Sequence, residues 1–162
     1  MAQADNQIDM VYFGNPIYDI TVTDNDRVVL NKYSLELGMA ALASPETMPI
    51  YAELSAREDK FCSPGGSALN SARAQKYAHA AGKVAYFGCI GNDAHGQALT
   101  ASVNECGIDG KFQVSEANPT GTCAAVVVGK ERTLLANIAS AKDFTLAHLD
   151  ANMVSTSPSF DL

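Results

Sequence analysis

The sequence predicts an α/β fold, a helix-covered sheet joined to a smaller β-rich section. Three observations carry that prediction. Residues 67–106 alternate as an alanine-rich helical stretch, an apolar strand over 83–90 and a second helical stretch over 94–106. After Gly107 the helical period disappears, and 111–115, 122–128 and 132–138 read as strands. The 162 residues suit one domain, or one plus a small subdomain, and can bury a sizeable core.

Taken in order, Ile8 to Phe13 reads as a buried strand stopped by Gly14-Asn15-Pro16. Residues 17–24 alternate with β-branched side chains as a second strand. Asp24-Asn25-Asp26 is turn chemistry and the start of a short helix through Val29, Leu30 and Tyr33. Residues 39–43 read as a short strand, and Ser44 or Pro45 as the start of a helix carrying Tyr51, Leu54 and Glu58. Phe61-Cys62 leads as a strand into Pro64-Gly65-Gly66. Ser67 is expected to cap a helix running to about Ala81, and Gly82 to end it at the C′ position. Asp93 is expected to cap the helix over 94–106, where Leu99, Val103 and Cys106 share one face. Gly129-Lys130-Glu131 reads as a hairpin turn, and Asp143 or Thr145 as the start of a last helix. Residues 151–162 are expected to fray.

Charge and composition narrow the function. A net charge of −7 argues against broad binding to nucleic acid, whose phosphates it repels. Met1 to Asp9 has neither a basic nor an apolar signal region, and no run is long enough to span a bilayer. Cys62, Cys89, Cys106 and Cys123 are scattered without a Cys-x-x-Cys pair, which suits free thiols better than zinc or disulfides. His79, His95 and His148 form no metal-ligand spacing and read as surface residues.

Two segments suggest a binding site. Gly65 and Gly66 stand directly before a helix, Ser67 at its start and Asn70 on its first turn, so free amides there attract oxygen-rich groups. The same pattern also makes an ordinary loop before a capped helix. Asn15 and Asp19 bracket the end of the first strand, where an amide and a carboxylate suit a vicinal diol; a Gly-Asn-Pro turn with a solvated Asp fits equally. Gly88 to Gly96 is not Gly-x-Gly-x-x-Gly and reads as a structural turn, and no Walker A motif is present. Lys130 and Arg132 flank the hairpin tip as solvated charges or as a reach toward phosphate. Cys123, Leu134, Ala136 and Ile138 make an apolar face that is either core or a bed for a flat base. No catalytic triad, carboxylate pair or Cys/His couple stands out, so no general base and no metal ligand is assigned.

Together these motifs resemble the adenosine kinases of the ribokinase-like (PfkB) family. Gly14-Asn15-Pro16-Ile17-Tyr18-Asp19-Ile20 is similar to their opening Gly-Asn-Pro-Leu-Leu-Asp-Ile, and Lys32-Tyr33-Ser34-Leu35 to a short run after it. Pro64 to Asn70 resembles the Gly-Gly-Ser-x-x-Asn element, and Gly88-Cys89-Ile90-Gly91 with Asp93-x-x-Gly96 the next block. Pro119 to Ala125 and Arg132-x-Leu134-x-Ala136-Asn137 resemble the lid strands. The resemblance runs from about Asp9 to Leu149. Ala40 departs, where those enzymes commonly have Gln, and 43–60 fits weakly.

The resemblance implies a partial ribokinase-like α/β sheet over roughly 8–14 and 67–115, with lid strands roughly at 17–24, 39–43, 61–64 and 122–138. Asp19, Gly65, Gly66 and Asn70 would hold ribose hydroxyls with Asn15 nearby, and Ser67 would stand among the substrate-binding residues. Ile17, Cys123, Leu134, Ala136 and Ile138 would surround the adenine of adenosine, and Arg132 would meet phosphate. The family transfers phosphate from ATP with Mg2+, using an aspartate in a late Gly-Ala-Gly-Asp motif. That motif is absent here, and the chain looks like the first half of such an enzyme. The expectation is therefore no turnover by this chain alone, and self-association through an exposed sheet edge. A cytoplasmic location, or a nuclear one, is implied. The other readings are a nucleoside-binding module and an interaction fragment.

Overall fold

The computed structural model of the chain describes residues 8–153. Its first half runs β1 (Met10–Phe13), β2 (Ile17–Thr23), α1 (Val28–Lys32), β3 (Ala40–Leu42), α2 (Pro49–Ala56) and β4 (Phe61–Gly65). Then come α3 (Ser67–Ala78), β5 (Val84–Gly91), α4 (Ala94–Glu105), β6 (Asp109–Ser115), β7 (Gly121–Val128) and β8 (Glu131–Asn137). A 3-10 turn (Ala139–Asp143) and α5 (Leu146–Met153) follow.

The elements form two sheets. One is parallel, in the order β1-β5-β6. All eight residues of β5 are buried, as an interior parallel strand covered on both faces requires. On one face Val84, Tyr86 and Ile90 pack with Leu69 and Ala72 of α3 and Leu99 and Val103 of α4. On the other lies the 3-10 turn, whose Ser140 hydroxyl donates to the Cys89 carbonyl at 3.5 Å. Asp143 accepts from Ser115 at 2.7 Å and from Asn118 at 2.8 Å, tying that turn to the end of β6.

The second sheet is mixed, in the order β3-β8-β7-β2-β4. One face packs Ile20, Val22, Ala124, Val126 and Leu135 against Val29, Leu30, Ile50 and Leu54 of α1 and α2. The buried carboxylate of Asp24 starts α1 by accepting from the amides of Val28, Val29 and Leu30 at 3.0, 2.9 and 3.2 Å. Tyr18 packs against both cores, and its ring stacks on His95 of α4 at 4.4 Å.

Several expectations are corrected. Ser67 does not cap α3; Gly66 occupies the cap with φ of 103°, and no side chain bonds there. The helix stops at Ala78, and Gly82 is not left-handed. The last turn closes through the amide of His79 on the carbonyl of Gln75 at 2.9 Å, and the Lys76 ammonium ties down the segment after the helix, donating to the carbonyls of Ala80 and Gly82 at 2.8 Å each. The segment after Ala43 first makes a turn, with the amide of Met48 bonded to the carbonyl of Ser44 at 3.1 Å, so α2 begins only at Pro49 and ends before Glu58. Glu131 belongs to β8 rather than to the turn. Of the expected frayed tail, 151–153 are helical, and 154–162 lie outside the described residues. His95 and His148 are half-buried with partners, Tyr18 and the carbonyl of Lys111. The cap by Asp93 stands, accepting from the Gly96 amide at 2.9 Å, and Thr145 caps α5 through the His148 amide at 3.3 Å.

Among the described residues β1 pairs only with β5, so its outer edge carries no strand. Met10 and Phe13 on that edge strand are 43% and 50% exposed. No helix among the described residues is long and apolar enough to cross a membrane.

Candidate functional site

The uncovered face of the mixed sheet is one wall of a cleft. Strand side chains alternate, so the residues between the buried ones of β2, β4, β7 and β8 point away from α1 and α2. The register sets Asp19 between Ser63 of β4 and Cys123 of β7. Ala136 then lies opposite Cys123, and Leu134 opposite Ala125. The facing wall is the start of α3, with Gly66, Ser67 and Asn70. The cavity between them measures about 910 Å³. A second recess of about 440 Å³ shares Ile17, Gly66, Ser67 and Ala136 with it and adds Gly14, Asn15 and Ile138.

Glycine is required where the two walls meet. A Cβ on Gly65 would stand 2.9 Å from Cγ of Asp19, and one on Gly66 would collide with the carbonyl of Asn15. Gly66 also holds a positive φ that other residues rarely adopt. The glycines therefore let α3 come up against β2 and the Asn15 corner. The amides of its first turn have no side-chain cap and are free to meet an oxygen-rich ligand.

The cleft is polar at one end and apolar at the other. Asp19 is half-buried, and burial pushes its carboxyl above the usual value while the Arg132 guanidinium pulls the other way. Burial, with the neighbouring Asp19 charge, pushes the Cys123 thiol up to about 11. Cys123 is therefore a neutral, apolar part of the wall at pH 7 and not a nucleophile. Leu134 and Ala136 continue the apolar surface. Arg132 lies exposed two residues further along β8, at the register of Val127.

The residues that the resemblance assigns to a ligand gather here. Ile17, Asp19, Gly66, Ser67, Asn70, Cys123, Arg132, Leu134 and Ala136 line the larger cavity, Asn15 and Ile138 the adjoining recess, and Gly65 backs Asp19. One neighbour of the cavity stands outside that set. Arg73, a turn beyond Asn70 on α3, donates through Nη1 to the Pro64 carbonyl at 2.8 Å and to Asn70 Oδ1 at 3.4 Å, and through Nη2 to Ser102 of α4. Its i, i+3 spacing from Asn70 was the available signal.

A profile of pfkB family carbohydrate kinases matches residues 38–159. The chain belongs to the pfkB family. Within reach of this pfkB chain, the adenosine kinase of Dictyostelium discoideum is 34% identical over 144 residues, covering 88% of this chain and 42% of that protein. Adenosine kinase 2 of Arabidopsis thaliana is 36% identical over 137 residues, covering 84% and 39%. Among solved structures, Anopheles gambiae adenosine kinase in complex with P1,P4-di(adenosine-5) tetraphosphate superposes with a TM-score of 0.83 at 34% identity, over 93% of this chain and 46% of that one. Schistosoma mansoni adenosine kinase in complex with adenosine superposes with a TM-score of 0.82 at 25% identity, over 95% and 44%. The pfkB chain thus spans less than half the length of these relatives and shares their ribokinase-like α/β fold across the part it covers.

Proposed function

We propose that this pfkB chain binds adenosine in the cleft between its mixed sheet and α3, as the nucleoside half of an adenosine kinase site. The observation that carries the reading is the meeting of Asp19 and Asn70 on one cavity, with Gly65 and Gly66 at the seam. A carboxylate accepts from hydroxyls, and an amide with free helix amides answers their oxygens. The apolar end, with Cys123, Leu134, Ala136 and Ile138, suits a flat base. Arg132 is the side chain that would meet phosphate. The reading also draws on an adenosine kinase of the same fold that holds adenosine.

Kinases of the pfkB family use ATP and Mg2+. Mg2+ is ordinarily held by one or two carboxylates together with the nucleotide's phosphates, and among the described residues no group of three His, Cys, Asp or Glu side chains stands together as an all-protein cation site. The sequence also lacks the Gly-Ala-Gly-Asp element. Base removal of the hydroxyl proton and electrostatic support of the transferring group supply most of the rate in phosphoryl transfer. The chain by itself is therefore proposed to bind nucleoside without transferring phosphate.

Calorimetric titration of the chain with adenosine tests the first part, and AMP formation from adenosine and ATP the second. Saturable adenosine binding with no AMP is the expected pair of results. Absence of binding removes the nucleoside reading, and ATP-dependent AMP production removes the inactivity.

A second reading, an interaction fragment, is favoured by one observation. Among the described residues no strand pairs with the outer edge of β1, where Met10 and Phe13 meet solvent, and an unpaired strand edge of this kind invites another chain.

A further inference from the structure

We infer that Arg73 is a positioning residue for this cleft, fixing which end of the Asn70 carboxamide faces the ligand. The inference rests on the nucleoside reading above. Arginine donates hydrogen bonds and accepts none. The Asn70 atom 3.4 Å from Arg73 Nη1 is therefore the oxygen, Oδ1. That leaves the NH2 end of the amide for the cavity that Asn70 lines. Asp19, on the opposite wall, offers only acceptors when ionised. A group that meets both must give a proton to Asp19 and accept one from Asn70 Nδ2.

A hydroxyl does both. A protonated amine has no lone pair for Asn70, and a carbonyl has no proton for Asp19. The pair therefore selects a hydroxyl, and with one orientation of its proton. Were the Asn70 amide turned over, its oxygen would face the carboxylate's side of the cavity and the selection would be lost.

Arg73 is itself held from two sides. Nη1 also bonds the carbonyl of Pro64, just ahead of Gly65-Gly66, and Nη2 bonds Ser102 on α4. Its Nε is buried without a partner, unlike most buried donors. The outer fork, not the stem, fixes the side chain. One guanidinium joins β4, α3 and α4 at the place where the ligand's hydroxyls are gripped.

Calorimetry on the full 162-residue chain with adenosine, 2′-deoxyadenosine and 3′-deoxyadenosine tests this, in wild type, Arg73→Met and Ser102→Ala. Adenosine binding by the wild type is the arm that tests the nucleoside reading; without it both ideas fall. Arg73→Met is expected to weaken adenosine about 3- to 10-fold, while the deoxynucleoside lacking the bridging hydroxyl changes by less than about twofold. Ser102→Ala is expected to repeat the pattern more weakly. Equal losses for all three nucleosides, or no loss for adenosine, overturn the role of Arg73 and leave the nucleoside reading standing. Should Arg73→Met lack a cooperative melt, Ser102→Ala decides alone: a loss confined to nucleosides bearing the hydroxyl supports the role, and a uniform loss or none refutes it.

Discussion

The carboxyl group of Asp19 lies against the backbone of Gly65, so close that a Cβ on Gly65 would stand 2.9 Å from its Cγ. Two strands paired antiparallel thus press an acceptor onto the turn that starts α3. The first prediction follows. Gly65→Ala is expected to push the carboxyl out of the cleft and weaken adenosine binding by about tenfold or more, since a hydrogen bond to a charged group is lost. Calorimetry checks it, with circular dichroism to verify that the fold survives. Unchanged affinity removes Asp19 from the site.

Asp19 also gives a pH prediction. Burial raises its pKa, opposed by Arg132, so the folded chain keeps this proton to higher pH than the unfolded chain does. Stability from the neutral form is present at low pH and lost as pH rises through the folded value. Asp19→Asn is neutral throughout and escapes that loss. At about pH 7 the variant is expected to melt at or above the wild-type temperature, with the gap closing toward about pH 4, near the ordinary carboxylate pKa. Its adenosine affinity is expected to fall meanwhile. A variant that melts below wild type at neutral pH contradicts the sign.

The opposite sign holds for Asp93. Burial pushes its carboxyl up, but hydrogen bonds from the Thr120 hydroxyl at 2.7 Å and amide at 2.8 Å, and from the Gly96 amide, outweigh it and lower the pKa. The stabilisation is present above the unfolded pKa and lost as pH falls through the folded one. Asp93→Ala is expected to cost about 2–4 kcal/mol at neutral pH, as a lost helix cap plus charged hydrogen bonds. Urea unfolding measures it, and the difference from wild type is expected to shrink under acid.

The open edge of β1 supplies the fourth prediction. Phe13 is half exposed, its ring stacked on Phe87 at 5.2 Å. The wild-type chain is expected to sediment as an associated species, and Phe13→Lys to shift it toward monomer, because a charge on an edge strand opposes pairing. A wild type that is already a monodisperse monomer sinks this.

What could be read in advance was local. The buried strand β5 is legible because its apolar run is unbroken, and the Asp93 cap because its acceptor and first amide lie three residues apart. The grouping of Asp19 with Asn70 came from a family resemblance, since no local pattern brings β2 against α3. Ser67 was misread as a cap because the left-handed Gly66 moves the helix start by one residue. Gly82 was misread because the helix ends four residues earlier, at Ala78, with His79 rather than a glycine at its C-cap. For Arg73 the i, i+3 spacing from Asn70 was legible, but its second anchor, Ser102, is 29 residues away and was not. Asp24 lies between these cases: the turn chemistry was plain, but its burial beneath three amides was not.

Tyr18 packs into both cores and stacks on His95, one residue before Asp19. That one ring fastens the mixed sheet to the parallel one right beside the acidic side chain of the cleft. Arg132, by contrast, stands exposed near the hairpin tip, opposite Val127, away from that fastening. The two charges of the cleft are thus anchored unequally: the carboxylate is built into the junction between the sheets, and the guanidinium hangs at the free end of a strand pair.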